Sequence, residues 1–411
     1  MFAWLVRYFE PLYWVAVILV LRAVVLLFRR RLMAINWRKR LAVLLLPAIT
    51  IAAVWLLVFL RVDPVIGKPG EVIRLDGNGQ PKIGPDGKYL KVEGDPKDPG
   101  FYRVNLEDGY FLLQMPEGYD DDNELLAFAC HFIGSHETDA IGMAIHGFRM
   151  TELANKHRFV NFYPISPVAY TLLGEPHHAW YSPLGTLSPR YGCPRDDGKF
   201  AKHAYQWMRQ HVRVNPKRFT LHGFSDGALL ALVLAQTQTD EMPIECLILA
   251  GGTILKWQLQ RPLQGPGPRI VVIQLNENDA EILPIDTADG EVVTGGFWYW
   301  LARNVIGLTN LDDSIPRRQV DYWTMVLCGR AGITWPPSLS EVGTFFTGRR
   351  TVFSAQTPKR ELQVIVYVVP QGHALAGQPG AEAQGEQPDK NFPWPEIVAD
   401  FIRDSAVRTD K

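Results

Sequence analysis

The sequence predicts an α/β protein with a mostly parallel sheet covered on both faces. Three observations predict it. From about Phe101 onward, short apolar segments alternate with segments of helical periodicity. The segments ELLAFACHF, ECLILAGG and RIVVIQL are apolar throughout, as strands buried on both faces must be. One of these strands runs through a glycine-flanked turn directly into a helix, at Gly223-Phe224-Ser225-Asp226-Gly227.

Taken in order, FYRVNL and YFLLQMP read as two antiparallel strands joined at the EDG turn. ELLAFACHF (124–132) is a buried strand, Met143–His157 a helix and RFVNFYPIS (158–166) the next strand. Asp197–Arg213 is helical, because KFAKHAYQWMRQHV repeats its apolar residues at helical spacing. RFTLHGF (218–224) is a strand, Asp226–Gln236 a helix, and ECLILAGG (245–252), RIVVIQL (269–275) and LQVIVYVV (362–369) are strands. EIVADFIRDSA (396–406) closes the domain as a helix. The catalytic unit is thus expected to span 101–411.

The chain ahead of it differs in character. Residues 62–100 are crowded with Gly, Pro and Asp, and DGNG and PDG are turn signals, so short hairpins or an extended linker are expected. Residues 1–61 read as a membrane anchor. Residues 41–60 form an uncharged apolar run of twenty, long enough at about 1.5 Å per residue to span a hydrocarbon core of about 30 Å. Residues 11–28 are a second candidate helix, crossing or lying at the interface, with Arg22 near enough to its end to snorkel. The loop between, 29–40, carries six basic residues and no acid, which places it in the cytoplasm and everything after Arg61 on the non-cytoplasmic side, periplasmic or extracellular.

The formal net charge is −1, from 42 basic and 43 acidic residues. Residues 1–62 hold nine of the basic residues and one acid, leaving the body with 33 basic against 42 acidic. Such a body lacks the basic footprint of a nucleic-acid binder. Four cysteines do not make a disulfide framework. Cys130 and Cys246 fall in buried strands. Cys193 and Cys328 lie in or near loops and are candidates to pair in an oxidising compartment.

The G-x-S-x-G motif carries the chemistry. After a strand and before a helix, it stands in the context that a G-x-S-x-G nucleophile elbow requires, which would leave Ser225 exposed above the sheet and direct the Asp226 N–H into an oxyanion site. A serine hydroxyl needs a base held by an acid, and in this fold both follow the serine along the chain. His373 alone among ten histidines follows the strand RIVVIQL, and it lies just past LQVIVYVV. The acid is sought after RIVVIQL, where NENDAEILP offers Asp279, with Glu277 and Glu281 as competitors. The second oxyanion donor is expected after ELLAFAC, from Phe132 or Ile133, with His131 bracing that loop. Trp180 and Tyr181 are candidate pocket residues. His177-His178 stand without an HExxH or Cys/His ligand set, so no metal is expected, and the triad needs no cofactor.

These residues together resemble the polyhydroxybutyrate depolymerase and feruloyl esterase group of α/β-hydrolases. The resemblance runs from about Phe101 to Ala406. It rests on GYFLLQMPEGYD, on DDGKFAKHAYQWMRQHVRVNPKRFTLHGFSDGA, on NENDAEILP, on GGFWYWLARN and on QGHALAG. It implies Ser225 as nucleophile, Asp279 as acid and His373 as base, and an ester substrate. The chain departs from the group where His131 is followed by Phe132 rather than Gly, and where Leu375 replaces Trp. The expectation is therefore a membrane-anchored serine esterase. A peptidase or thioesterase on the same fold, and a weakly active binding protein on a hydrolase scaffold, are its rivals.

Overall fold

The computed structural model describes residues 67–119, 124–133, 137–166, 168–170, 176–178, 180, 195–237, 241–254, 256–276, 285–286, 292–293, 318–334, 341–345, 348–357, 361–370 and 392–404. Among them, no helix is long and apolar enough to cross a membrane. Both apolar runs of the expected anchor lie outside the described residues.

Eleven strands form one sheet. They are β1 (Val72–Arg74), β2 (Gly100–Leu106), β3 (Gly109–Met115), β4 (Leu126–Phe132), β5 (Phe159–Pro164), β8 (Val214–Phe224), β9 (Cys246–Ala250), β10 (Ile270–Asn276), β13 (Glu341–Phe345), β14 (Gly348–Gln356) and β15 (Glu361–Val369). Two short pairs stand apart, β6 (Val168–Tyr170) with β7 (Pro176–His178), and β11 (Ile285–Asp286) with β12 (Val292–Val293). The sheet order is β1-β2-β3-β5-β4-β8-β9-β10-β15-β14-β13. The six central strands, β5 to β15 in that order, run parallel. Antiparallel strands flank them on both sides. The sheet is mixed, with a parallel centre and antiparallel flanks.

Both faces are covered, as the continuously apolar strands require. One face packs against α3 (Asp197–His211), α4 (Asp226–Gln236) and α5 (Arg318–Ala331), through Phe200, Tyr205, Leu230, Trp323 and Leu327. The other packs against α1 (Glu137–Gly142), the π-helical turn Met143–Gly147, α2 (Met150–His157) and α6 (Trp394–Asp404), through Phe148, Leu153, Trp394 and Val398. Helix α3 opens on Asp196, whose carboxylate accepts from the N–H groups of Gly198 and Lys199. Helix α4 is buried along its whole length from Gly227 to Gln236, which explains why DGALLALVLAQ is apolar on every side.

Three expectations are revised. The single helix over 143–157 is two pieces, because Arg149 stands in the left-handed region (φ 51°) between the π-helical turn and α2. Its guanidinium ties that junction to α6 through Glu396 at 2.8 Å. The segment after Gly67 does contain short hairpins, but it is packed on the domain: β1 pairs with β2, and Val72, Ile73 and Leu75 are buried. Cys328 is not in a loop. It is buried in α5 as a free thiol, while Cys193 lies outside the described residues. Cys130 and Cys246 are buried free thiols in β4 and β9, as expected.

Candidate active site

Strand β8 delivers Ser225 to the carboxyl edge of the parallel strands. The backbone there turns sharply: Ser225 has φ 54° and ψ −122°. A non-glycine residue in that region costs about 1–3 kcal/mol and persists only where its surroundings impose it. Here the imposing contacts are visible. The Ser225 N–H donates to the Ala250 carbonyl of β9 at 3.0 Å, and the Ser225 carbonyl accepts from the Ala228 N–H at 3.0 Å.

The two glycines of the motif are steric necessities. A β-carbon on Gly223 would lie 2.3 Å from the Gly227 carbonyl oxygen. One on Gly227 would lie 1.9 Å from the Phe132 carbonyl oxygen and 2.8 Å from the Phe132 β-carbon. The first turn of α4 therefore sits directly against the end of β4. Asp226 opens α4, so its N–H belongs to the first-turn set that an α-helix leaves for other acceptors. Phe132 closes β4, paired with Gly223, and Ile133 follows it; both side chains are buried. The structure thus brings Ser225, Asp226 and the Phe132–Ile133 segment to one edge of the sheet.

Trp180 is buried, with its ring edge-to-face on Phe132 at a centroid separation of 5.0 Å. Tyr181, Asp279, Glu277, Glu281 and His373 lie outside the described residues, as does the GGFWYWLARN segment. The strands that precede the expected acid and base end at the same edge as β9. Gln274 of β10 is level with Ala250 of β9, and Asn276 of β10 with Val369 of β15. Asp279 is three residues past Asn276, and His373 four past Val369.

Behind the edge, four neighbouring strands share a buried polar chain. His131 Nδ1 and His222 Nδ1 lie 3.1 Å apart across β4 and β8. His131 Nε2 is 2.8 Å from Asn161 Oδ1 on β5. Asn161 Nδ2 donates to Gln114 Oε1 on β3 at 3.0 Å, and the Tyr163 hydroxyl donates to the same oxygen at 3.0 Å. His131 also stacks on Tyr163. The expected bracing role of His131 therefore has visible partners. The partner His222 was not legible beforehand, since only the register of β4 against β8 reveals it.

Both imidazoles are held neutral. Burial pulls the pKa of His131 down to about 4 from the ordinary 6.5, against the opposing effect of the Asn161 bond. Burial, with the proximity of His131, holds His222 well below its ordinary value. In the unfolded chain both regain ordinary values, so below pH 6.5 the unfolded state binds protons that the folded state refuses. The stability due to this neutrality is complete above about pH 7 and is lost as pH falls toward 4. Lowering pH from about 7 to about 5.5 is expected to cost on the order of 1 kcal/mol per imidazole. A denaturant midpoint unchanged over that interval would contradict a buried neutral pair.

No protein-family model matches the chain, and no curated protein matches it significantly. Among solved structures it is similar to an acetyl xylan esterase from Aspergillus awamori, at 12% identity over 65% of this chain and 89% of that one, with a TM-score of 0.38. It is similar to an S-formylglutathione hydrolase from Staphylococcus aureus, at 12% identity over 77% and 98%, with a TM-score of 0.36. It is also similar to an α/β-hydrolase enzyme from a Medee basin deep-sea metagenome library, at 10% identity over 82% and 99%, with a TM-score of 0.37. Likenesses at this level decide neither substrate nor chemistry, which rest on the residues themselves.

Proposed function

We propose that this chain is a membrane-anchored serine hydrolase that cleaves carboxylic esters through an acyl-enzyme, in the manner of the depolymerase and feruloyl esterase group. The observation that carries the reading is the backbone of Ser225. A serine held at φ 54° between two glycines that tolerate no β-carbon is a strained residue with a reason to be kept.

In this reading His373 takes the Ser225 proton as Oγ attacks the ester carbonyl. The carbonyl electron pair moves onto oxygen, where the N–H of Asp226 and that of Phe132 or Ile133 hold the negative charge. The intermediate collapses with cleavage of the C–O bond, and His373 gives its proton to the departing alcohol. Water, deprotonated by His373, then attacks the acyl-enzyme and restores Ser225. Asp279 orients His373 and stabilises its charged form. Reach supports the assignment: three and four residues span at most about 11 and 14 Å, and the strands from β8 to β15 are spaced about 4.8 Å apart. Trp180, seated on Phe132, borders the acyl side in this reading.

The substrate class is tested with the full chain in detergent, on short p-nitrophenyl esters, a phenolic ester and peptide p-nitroanilides. Turnover of the esters with none of the anilides is expected. Preferential cleavage of the anilides would make the chain a peptidase. The anchor is tested separately by flotation with liposomes. The full chain is expected to rise with the lipid and to resist extraction at alkaline pH; release by carbonate would contradict a spanning helix.

A further inference from the structure

We propose that His222 is a positioning residue for the oxyanion site, acting as a hydrogen-bonded lock between the strand that carries the nucleophile and the strand that carries the second oxyanion donor. The proposal rests on the serine-hydrolase reading above and adds to it a residue that the triad does not include.

The oxyanion donors come from two different pieces of chain, β4 with its following residue and the start of α4. Such donors act only when both lie about 2.7–3.1 Å from one oxygen, so the relative placement of the β4 and β8 ends sets the site. The rows of that strand pair nearest the edge are His131 opposite His222 and then Phe132 opposite Gly223. Gly223 has no side chain to contribute, and none could be accommodated there. The His131–His222 contact is therefore, among the described residues, a hydrogen-bonded side-chain bridge one row from the edge where the chain leaves at Ser225 on one side and Ile133 on the other. At its other end the same strand pair has an irregular register, between Leu126 and Phe128, so alignment is not enforced from there.

The orientation of the Asn161 and Gln114 amides sets the tautomers. The Asn161 amide nitrogen donates to Gln114, which turns Asn161 Oδ1 toward His131 as an acceptor. His131 must then carry its proton on Nε2, leaving Nδ1 bare. His222 must carry its proton on Nδ1 and donate it to His131 Nδ1. His222 Nε2 is left as a bare acceptor, buried and without a hydrogen-bond partner among the described residues, with Phe148 edge-on to the ring. The arrangement has one direction, from His222 through His131 and Asn161 to Gln114, and it fastens β8 to three strands at once.

This predicts an unusual pair of substitutions. His222→Asn places an amide N–H near the position of Nδ1 and retains the donated bond. His222→Leu fills the space and removes it. In the full chain, second-order labelling by a fluorophosphonate and turnover of p-nitrophenyl butyrate are measured for both. The Leu variant is expected to lose roughly tenfold or more in labelling rate and in kcat, the scale of a weakened oxyanion donor, with KM changed less than about twofold. The Asn variant is expected to stay within about threefold of the unaltered chain. A folded Leu variant that labels at the unaltered rate overturns the proposal, as does an Asn variant as slow as Leu. Imidazole nitrogen NMR of the unaltered chain gives a second readout should the Leu variant not fold. His222 protonated on Nδ1 and His131 on Nε2 is the expected signature; Nδ1 protonated on both rings, or on neither, leaves no hydrogen bond between them and overturns the proposal. An unaltered chain that labels nowhere overturns the hydrolase reading itself, and this proposal with it.

Discussion

Replacing Ser225 by Ala is expected to lower ester hydrolysis by roughly 10⁴- to 10⁶-fold, the range seen when a nucleophile of this type is removed. The fold is expected to survive, since the change removes one oxygen and leaves the β-carbon in place. Ser225→Gly separates function from stability more sharply. The conformation at φ 54° and ψ −122° is strained for any residue with a β-carbon and easy for glycine. Relief of about 1–3 kcal/mol of strain outweighs the roughly 0.5–1 kcal/mol of added chain entropy that glycine brings. The Gly variant is therefore expected to be inactive and yet more stable than the unaltered chain, by about 1 kcal/mol, in a thermal or denaturant melt. A Gly variant less stable than the Ala variant would mean that the backbone at Ser225 stores no strain.

Gly227→Ala is expected to be the most damaging single methyl group that can be added near the site. Its β-carbon would meet backbone, the Phe132 carbonyl oxygen at 1.9 Å, so no side chain can rotate away to admit it. Either α4 or the end of β4 must move, and both hold proposed oxyanion donors. A loss of about 3 kcal/mol or more is expected, together with loss of fluorophosphonate labelling in whatever fraction remains folded. Gly329 in α5 serves as the comparison, because a β-carbon there meets nothing within 4 Å. Gly329→Ala is expected to stabilise by about 0.5–1 kcal/mol through helix propensity alone. Equal melting temperatures for the two variants would show that the Gly227 contact does not control the site.

What the sequence made legible depended on how local each signal was. Helix α4 appears over Asp226–Gln236 as expected, because a glycine-flanked turn fixes its start and an uninterrupted apolar run fixes its body. The central strands followed from their unbroken apolar character. The β13–β14 hairpin did not, because GRRTVFSAQ alternates weakly and is only partly buried on the flank of the sheet. The break at Arg149 was hidden because no glycine marks its left-handed backbone. Helix α5 was missed because RQVDYWTMVLCGRA mixes apolar and polar residues without an opening cap signal. Within the site, Ser225 and Asp226 were readable from one motif. The His131–His222 pairing was not, since those residues are 91 positions apart and meet only through strand register. Asp279 and His373 were inferred from chain order, and both lie outside the described residues, beyond the ends of β10 and β15.

The most direct test is mass-spectrometric mapping of a fluorophosphonate adduct on the full chain. The account predicts one covalent adduct, on Ser225, formed in the folded chain and abolished by prior denaturation. Absence of any adduct on the folded chain, or an adduct on another residue with Ser225 unmodified, would contradict it.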